Sequence, residues 1–256
     1  WDYAANTRGY TDGIVIGYVS PAFSLKYGVY RMPELANGQT LVGSLRNARG
    51  ENLELTLSPW STGTIVRALL YHNTAPMGLY DQALAIAATT NTEPSVVADD
   101  RAGRHKTGFG VNLEQPLADE GETGIFARLG WNDGKAESFA FTEVDNELSV
   151  GLQLSGTHWR RRDDRLGAAL LSEGLSAPHR EYLAAGGHGF LLGDGRLNYR
   201  REDVLEMYYR LQVTQSIARL PVRLQLSPDF QLIRNPGFNG DRGPARFWGL
   251  RAHLEY

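Results

Sequence analysis

"ELSVGLQLS", residues 147–155, sets Leu148, Val150, Leu152 and Leu154 against Glu147, Ser149, Gly151, Gln153 and Ser155 without a break. Successive side chains of an extended backbone point to opposite sides, so this period of two makes one apolar face and one polar face. A helix would need a period near 3.6, and the stretch does not have it. The same alternation runs through "FSLKYGV" (23–29), "NLELTL" (52–57) and "RFWGLRAHLEY" (246–256). Eleven segments read this way: 10–18, 22–30, 50–57, 63–72, 106–115, 122–131, 147–157, 164–172, 203–213, 219–232 and 245–256. In 63–72 the pattern is least clean, because Ile65, Val66, Leu69 and Leu70 occupy both phases. Helical sequence is confined to "GLYDQALAIAA" (78–88) and "APHREYLAA" (177–185), expected as short helices inside loops.

The connections alternate in length. Those at 19–21, 58–62, 116–121, 158–163 and 214–218 are short, and those at 31–49, 73–105, 132–146, 173–202 and 233–244 are long. Short turns on one edge and long loops on the other are the plan of an outer-membrane barrel. The fold class expected is therefore all-β, an antiparallel up-and-down transmembrane β-barrel with short periplasmic turns and long extracellular loops. Tyr10, Tyr18, Tyr30, Trp60, Tyr71, Trp131 and Tyr256 lie near segment ends, where amphipathic rings form interfacial girdles. If the long loops are external, the closing strand runs inward and so does 10–18. The opening "WDYAANTRGYTDG" then reads as an external loop, and barrels of this kind normally have an even strand number and a periplasmic start. Residues 1–256 are accordingly expected to be a single barrel domain lacking its N-terminal strands.

Composition narrows the function classes. Net charge is −3 over 256 residues, with no broad basic field for nucleic acid. There is no cysteine, which excludes disulfide frameworks and thiolate metal sites. No apolar run approaches the roughly 18 residues of a membrane helix, a criterion blind to barrels. No GxSxG, P-loop, HExxH or CxxC motif occurs, so neither an enzyme nor a cofactor is expected. His72, His105, His158, His179, His188 and His253 are scattered without ligand spacing. Asp163 and Asp164 read as solvated charge in a short turn rather than an acid–base pair.

The informative residues are charges in the polar phase of the strands. Arg or Lys on a lipid-facing surface near the midplane costs ~2–4 kcal/mol, so these side chains belong inside. Lys26, Glu54, Arg67, Arg128, Glu206, Arg210, Arg223, Asp229, Arg251 and Glu255 are the pore-lining candidates, either as solvated or ion-paired wall residues or as a polar constriction. A pore preferring sugars needs planar donors such as Arg, carboxylate acceptors and an aromatic face. The segment 73–105 is long enough to fold into the lumen, with its helix inside or on an external loop.

Long stretches also carry a resemblance. "HWRRRDDRLGAALLSEGLS" (158–176), "REYLAAGGHGFLLGDGRLNYRREDVLEMYY" (180–209) and "SPDFQLIRNPGFNGDRGPARFWGLRAHLEY" (227–256) resemble the C-terminal half of the carbohydrate-selective porins, the OprB-type family. "GFGVNLEQPL" (108–117) and "ARLGWNDGKAESFAFTEVDNELSVG" (127–151) are similar to that family too. The resemblance implies a barrel of about 16 strands, so about five would precede the eleven. It implies a Gram-negative outer membrane, an Arg-bearing eyelet, and passive diffusion of mono- or disaccharides such as glucose. Implied partners are small carbohydrates, outer-membrane lipid and lipopolysaccharide, and the barrel-assembly machinery through the strand ending at Tyr256, with oligomerisation open. A family barrel used for glycan export or surface binding, or a soluble all-β carbohydrate-binding domain, are the alternatives. "NPGFNGDRGP" (235–244) is expected as the last external loop, turned by Pro236 and Gly237, with Asp241 pairing Arg242 or a neighbouring loop.

Overall fold

The computed structural model describes residues 4–193, 195–214 and 223–255. Eleven strands follow in chain order: β1 Gly13–Val19, β2 Phe23–Arg31, β3 Arg49–Leu57, β4 Ile65–Met77, β5 Arg101–Ala118, β6 Thr123–Asn132, β7 Asn146–Ser155, β8 Arg165–Gly174, β9 Glu202–Thr214, β10 Arg223–Arg234 and β11 Ala245–Glu255. They form one sheet in sequence order, each pairing with the next, so β1 and β11 are its edges among the described residues. Every pairing is antiparallel, as short turns and local loops require.

Register carries one face from edge to edge. Gly17 faces Lys26, Lys26 faces Glu54, and Thr56 faces Arg67. Arg67 faces Asn112, Asn112 faces Arg128, and Arg128 faces Ser149. Gly151 faces Ala169, Ala169 faces Glu206, and Asp229 faces both Tyr208 and Gly249. The other phase holds most of the large apolar side chains, and in the interior strands it is the more exposed one. In the interior strands Leu70 is 58% exposed, Leu170 57% and Leu148 51%, while Ser149 beside Leu148 is 5%. Such a face is stable only against a solvent that is itself apolar.

Aromatic pairs mark both margins of the apolar face. Tyr18 meets Phe23 at 5.5 Å near the short turns, where Trp159 Nε1 also donates to the Tyr209 hydroxyl at 2.8 Å. Phe109 meets Trp131 at 5.7 Å and Phe230 meets Trp248 at 4.4 Å toward the long loops. Two residues expected in these girdles are not there: Tyr30 and Tyr71 fall in the polar phase, opposite Gly50 and Gly108. Position near a strand end does not decide which way a ring points; phase does.

The packed core lies in the loop layer at the long-loop end, not in the sheet. One cluster joins Tyr80, Ala83, Val96, Leu175, Tyr182, Leu183 and Phe238. A second joins Met32, Ala48, Ala75, Met77, Ala136 and Phe139. Helix α1 (Tyr80–Thr90) is Ala-rich and ends at Asn91, whose left-handed backbone returns its N–H to Ala87 O. Helix α2 (Ala177–Ala184) starts after Ser176, whose hydroxyl accepts from His179 N, and has Pro178 in its first turn. The two helices pack on each other within this layer.

Strand ends depart from the sequence reading where loops cover them. β4 continues to Met77 and β5 begins at Arg101, so the connection expected at 73–105 shortens to 78–100. Asn73, Thr74 and Ala75 are buried in both phases, which erases the alternation that would have announced them. The expected strand residues 219–222, residues 215–218 of the short turn expected at 214–218, Asp194 and Tyr256 lie outside the described residues.

Candidate functional site

The ten charged residues named from the sequence all fall on the single polar face. The pairings Lys26–Glu54, Arg223–Glu255 and Ser227–Arg251 show this directly, as do Arg165–Arg210 and Gln231–Glu206. Their pairing splits them into two groups. Lys26 Nζ lies 3.8 Å from Glu54 Oε1, and Arg223 Nη1 3.8 Å from Glu255 Oε2. Arg67 bonds Glu114, with Asn112 Oδ1 at 3.2 Å. These are wall ion pairs, half-exposed and worth little individually.

Arg128, Arg210 and Arg251 have no carboxylate partner among the described residues. The Arg128 guanidinium sits 5.4 Å above the Phe126 ring centroid. Nε of Arg210 is buried without a hydrogen-bond partner. Glu206 accepts from Gln231 Nε2 at 3.2 Å, leaving its other carboxylate oxygen available. An open groove of about 510 Å³ is lined by Glu206, Tyr208, Arg210, Asp229 and Arg251. A second, of about 350 Å³, is lined by Phe126, Arg128, Gln153 and again Glu206 and Tyr208. The two grooves meet at Glu206 and Tyr208 and make a track across β6–β11.

Phe126 and Tyr208 are the residues that sequence reasoning missed. Each ring lies over a glycine of the neighbouring strand: Phe126 over Gly151 and Tyr208 over Gly167. Tyr208 is tied down by its hydroxyl, which donates to Gln153 Oε1 at 3.0 Å. The rings therefore lie along the wall and offer a π face beside the guanidinium groups. An aromatic in the polar phase opposite a cross-strand glycine is the signal that could have found them.

Above the track, the loop layer holds buried charge. His179 is fully buried, stacks on Tyr80 at 4.4 Å, and meets Asp145 Oδ2 through Nδ1 at 2.9 Å. Burial alone would raise the Asp145 carboxyl, but the His179 bond and charge, with Lys106 and the Ser176 N–H, hold it at about 2. Burial pushes Glu137 up to about 9, and its hydrogen bond with Asp100 adds to that. Burial also raises Glu143 against the Leu191 and Leu192 N–H groups, which donate to it at 2.7 Å and 2.5 Å.

The structure overturns one sequence expectation here, at Asp164, and adds detail to two others. His72 and His105, far apart in sequence, stack at 4.8 Å with Nε2 and Nδ1 3.1 Å apart. No group of three or more metal-ligating side chains occurs among the described residues. Asp164 is not solvated: it is 1% exposed and accepts from Arg161, the Tyr209 hydroxyl and Gln212 N. In the 235–244 loop, Asp241 takes the neighbouring-loop option, accepting from Asn198 Nδ2 at 2.8 Å. Phe238 anchors that loop in the core.

An eleven-stranded meander with an apolar face outward, a polar, arginine-bearing face opposite it, and long loops at one end is the wall of an outer-membrane β-barrel. The sequence profile of the carbohydrate-selective porin OprB family matches residues 18–256, and the chain belongs to that family. A solved structure of Pseudomonas putida OprB, determined at high pH, superposes with a TM-score of 0.67 at 21% identity. The match covers 94% of this chain and 57% of that one, so the sheet follows part of that barrel. No curated protein matches the sequence significantly. OprB porins are proteins of the Gram-negative outer membrane, and this chain is placed there with them.

Proposed function

We propose that these residues form most of the channel wall of a porin for passive, selective diffusion of small uncharged carbohydrates. The observation that carries the reading is the track itself: Arg128, Arg210 and Arg251 lack carboxylate partners, Glu206 and Asp229 stand among them, and two rings lie flat on glycines. A sugar presents hydroxyls that both donate and accept, and C–H faces that stack on rings. Several weak contacts of this kind select without trapping. No cofactor or covalent step is required. Lys26, Glu54, Arg67 and Arg223, which are paired within the wall, set the field of the channel rather than touching the solute.

The proposal includes further strands. Among the described residues β1 and β11 are both open edges, and lipid does not tolerate unpaired backbone. Additional strands joining them would close the channel, consistent with a match that spans 57% of the solved porin.

The test is planar-bilayer conductance of the reconstituted barrel. Added mono- or disaccharide should lower the ion current. Arg128→Ala and Arg251→Ala should weaken that block, while Arg223→Ala should leave it nearly intact. A current unaffected by sugar would sink the reading and favour glycan export or surface binding. A block unchanged in both Arg128→Ala and Arg251→Ala would remove the track from it.

A further inference from the structure

Charge on the apolar face of the sheet is confined to one margin. Every charged side chain in that phase of the strands lies toward the long loops, and the short-turn margin carries none among the described residues. The charges fall into two groups of different character. On β2–β3, Arg31 pairs with Asp12 at 2.9 Å and Arg49 with Glu51 at 3.0 Å, so the group is neutral. On β9–β11 the balance is different. Arg234 stands opposite Asp203, and Arg246 stands opposite Leu232, one pleat beyond Trp248. Arg201, just before β9, turns to the same side and donates only to neutral groups: Ser172 Oγ and O at 2.9 Å each and Asn146 Oδ1 at 2.6 Å. Asp203 is already bonded by the Ser172 hydroxyl at 2.7 Å. Arg234 and Arg246 are exposed and have no ion pair among the described residues.

We propose that Arg201, Arg234 and Arg246 form an outward-facing site for the phosphate groups of the anionic glycolipid in the outer leaflet. The level is right: the Phe230–Trp248 pair marks the apolar margin, and the guanidinium groups stand immediately beyond it, where headgroups begin. The chemistry is right as well, because guanidinium meets phosphate through paired N–H donors. Basic side chains at the headgroup level attract anionic lipid, and that attraction is screened by salt. The neutral β2–β3 group has the same residue types without the surplus charge, and it serves as an internal control. The proposal rests on the apolar face being lipid-facing and is independent of what passes through the channel.

The experiment measures retention of defined lipids by the detergent-solubilised barrel, using native mass spectrometry and thermal unfolding. Three probes are compared: diphosphoryl lipid A, its dephosphorylated form, and inorganic phosphate. The expected result is a preference of about tenfold or more for the diphosphoryl over the dephosphorylated lipid, falling as salt rises. Inorganic phosphate should not reproduce the stabilisation. The double variant Arg234→Gln/Arg246→Gln should lose the preference while keeping its heat-modifiable migration, and Arg49→Gln should retain it. Equal retention of the two lipids by the unaltered protein, or an undiminished preference in the double variant, would overturn the proposal. Retention of neither lipid would overturn it too, by removing the lipid-facing assignment on which it rests.

Discussion

In the strand wall Trp248 and Leu250 are 80% and 72% exposed, while in the loop layer Asp145 and Glu137 are 2% and 4% exposed. The same chain thus turns hydrocarbon outward in one region and seals carboxylates inward in the other. The difference follows from the solvent. Against lipid there is no hydrophobic gain from hiding Leu or Trp, and the wall is held by its ladder of inter-strand hydrogen bonds. Above the membrane the loops meet water, so they pack Tyr80, Tyr182, Phe139 and Phe238 into clusters of their own. Buried charge is tolerated there where distant loops supply partners, as His179 and the Ser176 N–H do for Asp145 and the Leu191 and Leu192 N–H groups do for Glu143, although Asp145 Oδ1 and His179 Nε2 stay buried without a hydrogen bond among the described residues.

The contrast can be broken most severely in the loop layer. Asp145→Ala strands a buried His179 and removes an acceptor from Ser176 N, the residue that caps α2. Removing one partner of a buried pair costs about 3–5 kcal/mol. Hydrogen exchange should show α2 and the 133–145 connection opening together, with the strand amides unchanged. Equal loss of protection in the strands would mean that wall and loops are one cooperative unit.

The wall is next. Val150 and Gln153 share β7 but point to opposite faces. Val150→Arg should cost ~2–4 kcal/mol in lipid, and Gln153→Arg far less, measured by urea unfolding in bilayers. Equal costs would refute the assignment of faces.

A smaller, pH-dependent effect concerns Glu137. Its folded pKa of about 9 lies above the ordinary 4.5, so the loop layer holds a proton that the unfolded chain releases. That contribution is complete below the unfolded value and is lost as pH rises from 4.5 toward 9. The slope is at most about 1.4 kcal/mol per pH unit for one proton. Glu137→Gln keeps a neutral acceptor for Gly78 N and should flatten the alkaline loss of loop protection. Asp145, held at about 2, gives the opposite slope on the acid side, with stability falling as pH drops below the ordinary carboxylate range. An unchanged alkaline profile in Glu137→Gln would place the titrating group elsewhere.

Much of the wall was legible because period two is a local property. "ELSVGLQLS" announced β7 without reference to any neighbour, and the phase of Arg128 or Glu206 came with its strand. What was not legible depends on partners. Whether Arg67 is paired and Arg128 is not is decided by what stands on the next strand, which requires register. Phe126 and Tyr208 were missed because a ring in the polar phase has meaning only beside the glycine opposite it. The Asp145–His179 contact joins residues 34 apart, and its burial comes from loops closing over it, not from any local pattern. The upper ends of β4 and β5 were lost for the same reason: under the loops both phases are covered, and "HNTAPM" (72–77) no longer alternates.

Gly151 and Gly167 have a consequence for how such a channel can vary. A Cβ at either position would intrude on the ring that rests there. The space each glycine leaves empty is what lets an aromatic lie flush with the wall, so the bore of the passage is recorded in absent side chains. A lineage could narrow the conduit by a single methyl group at a position hidden beneath a ring, leaving every arginine in place.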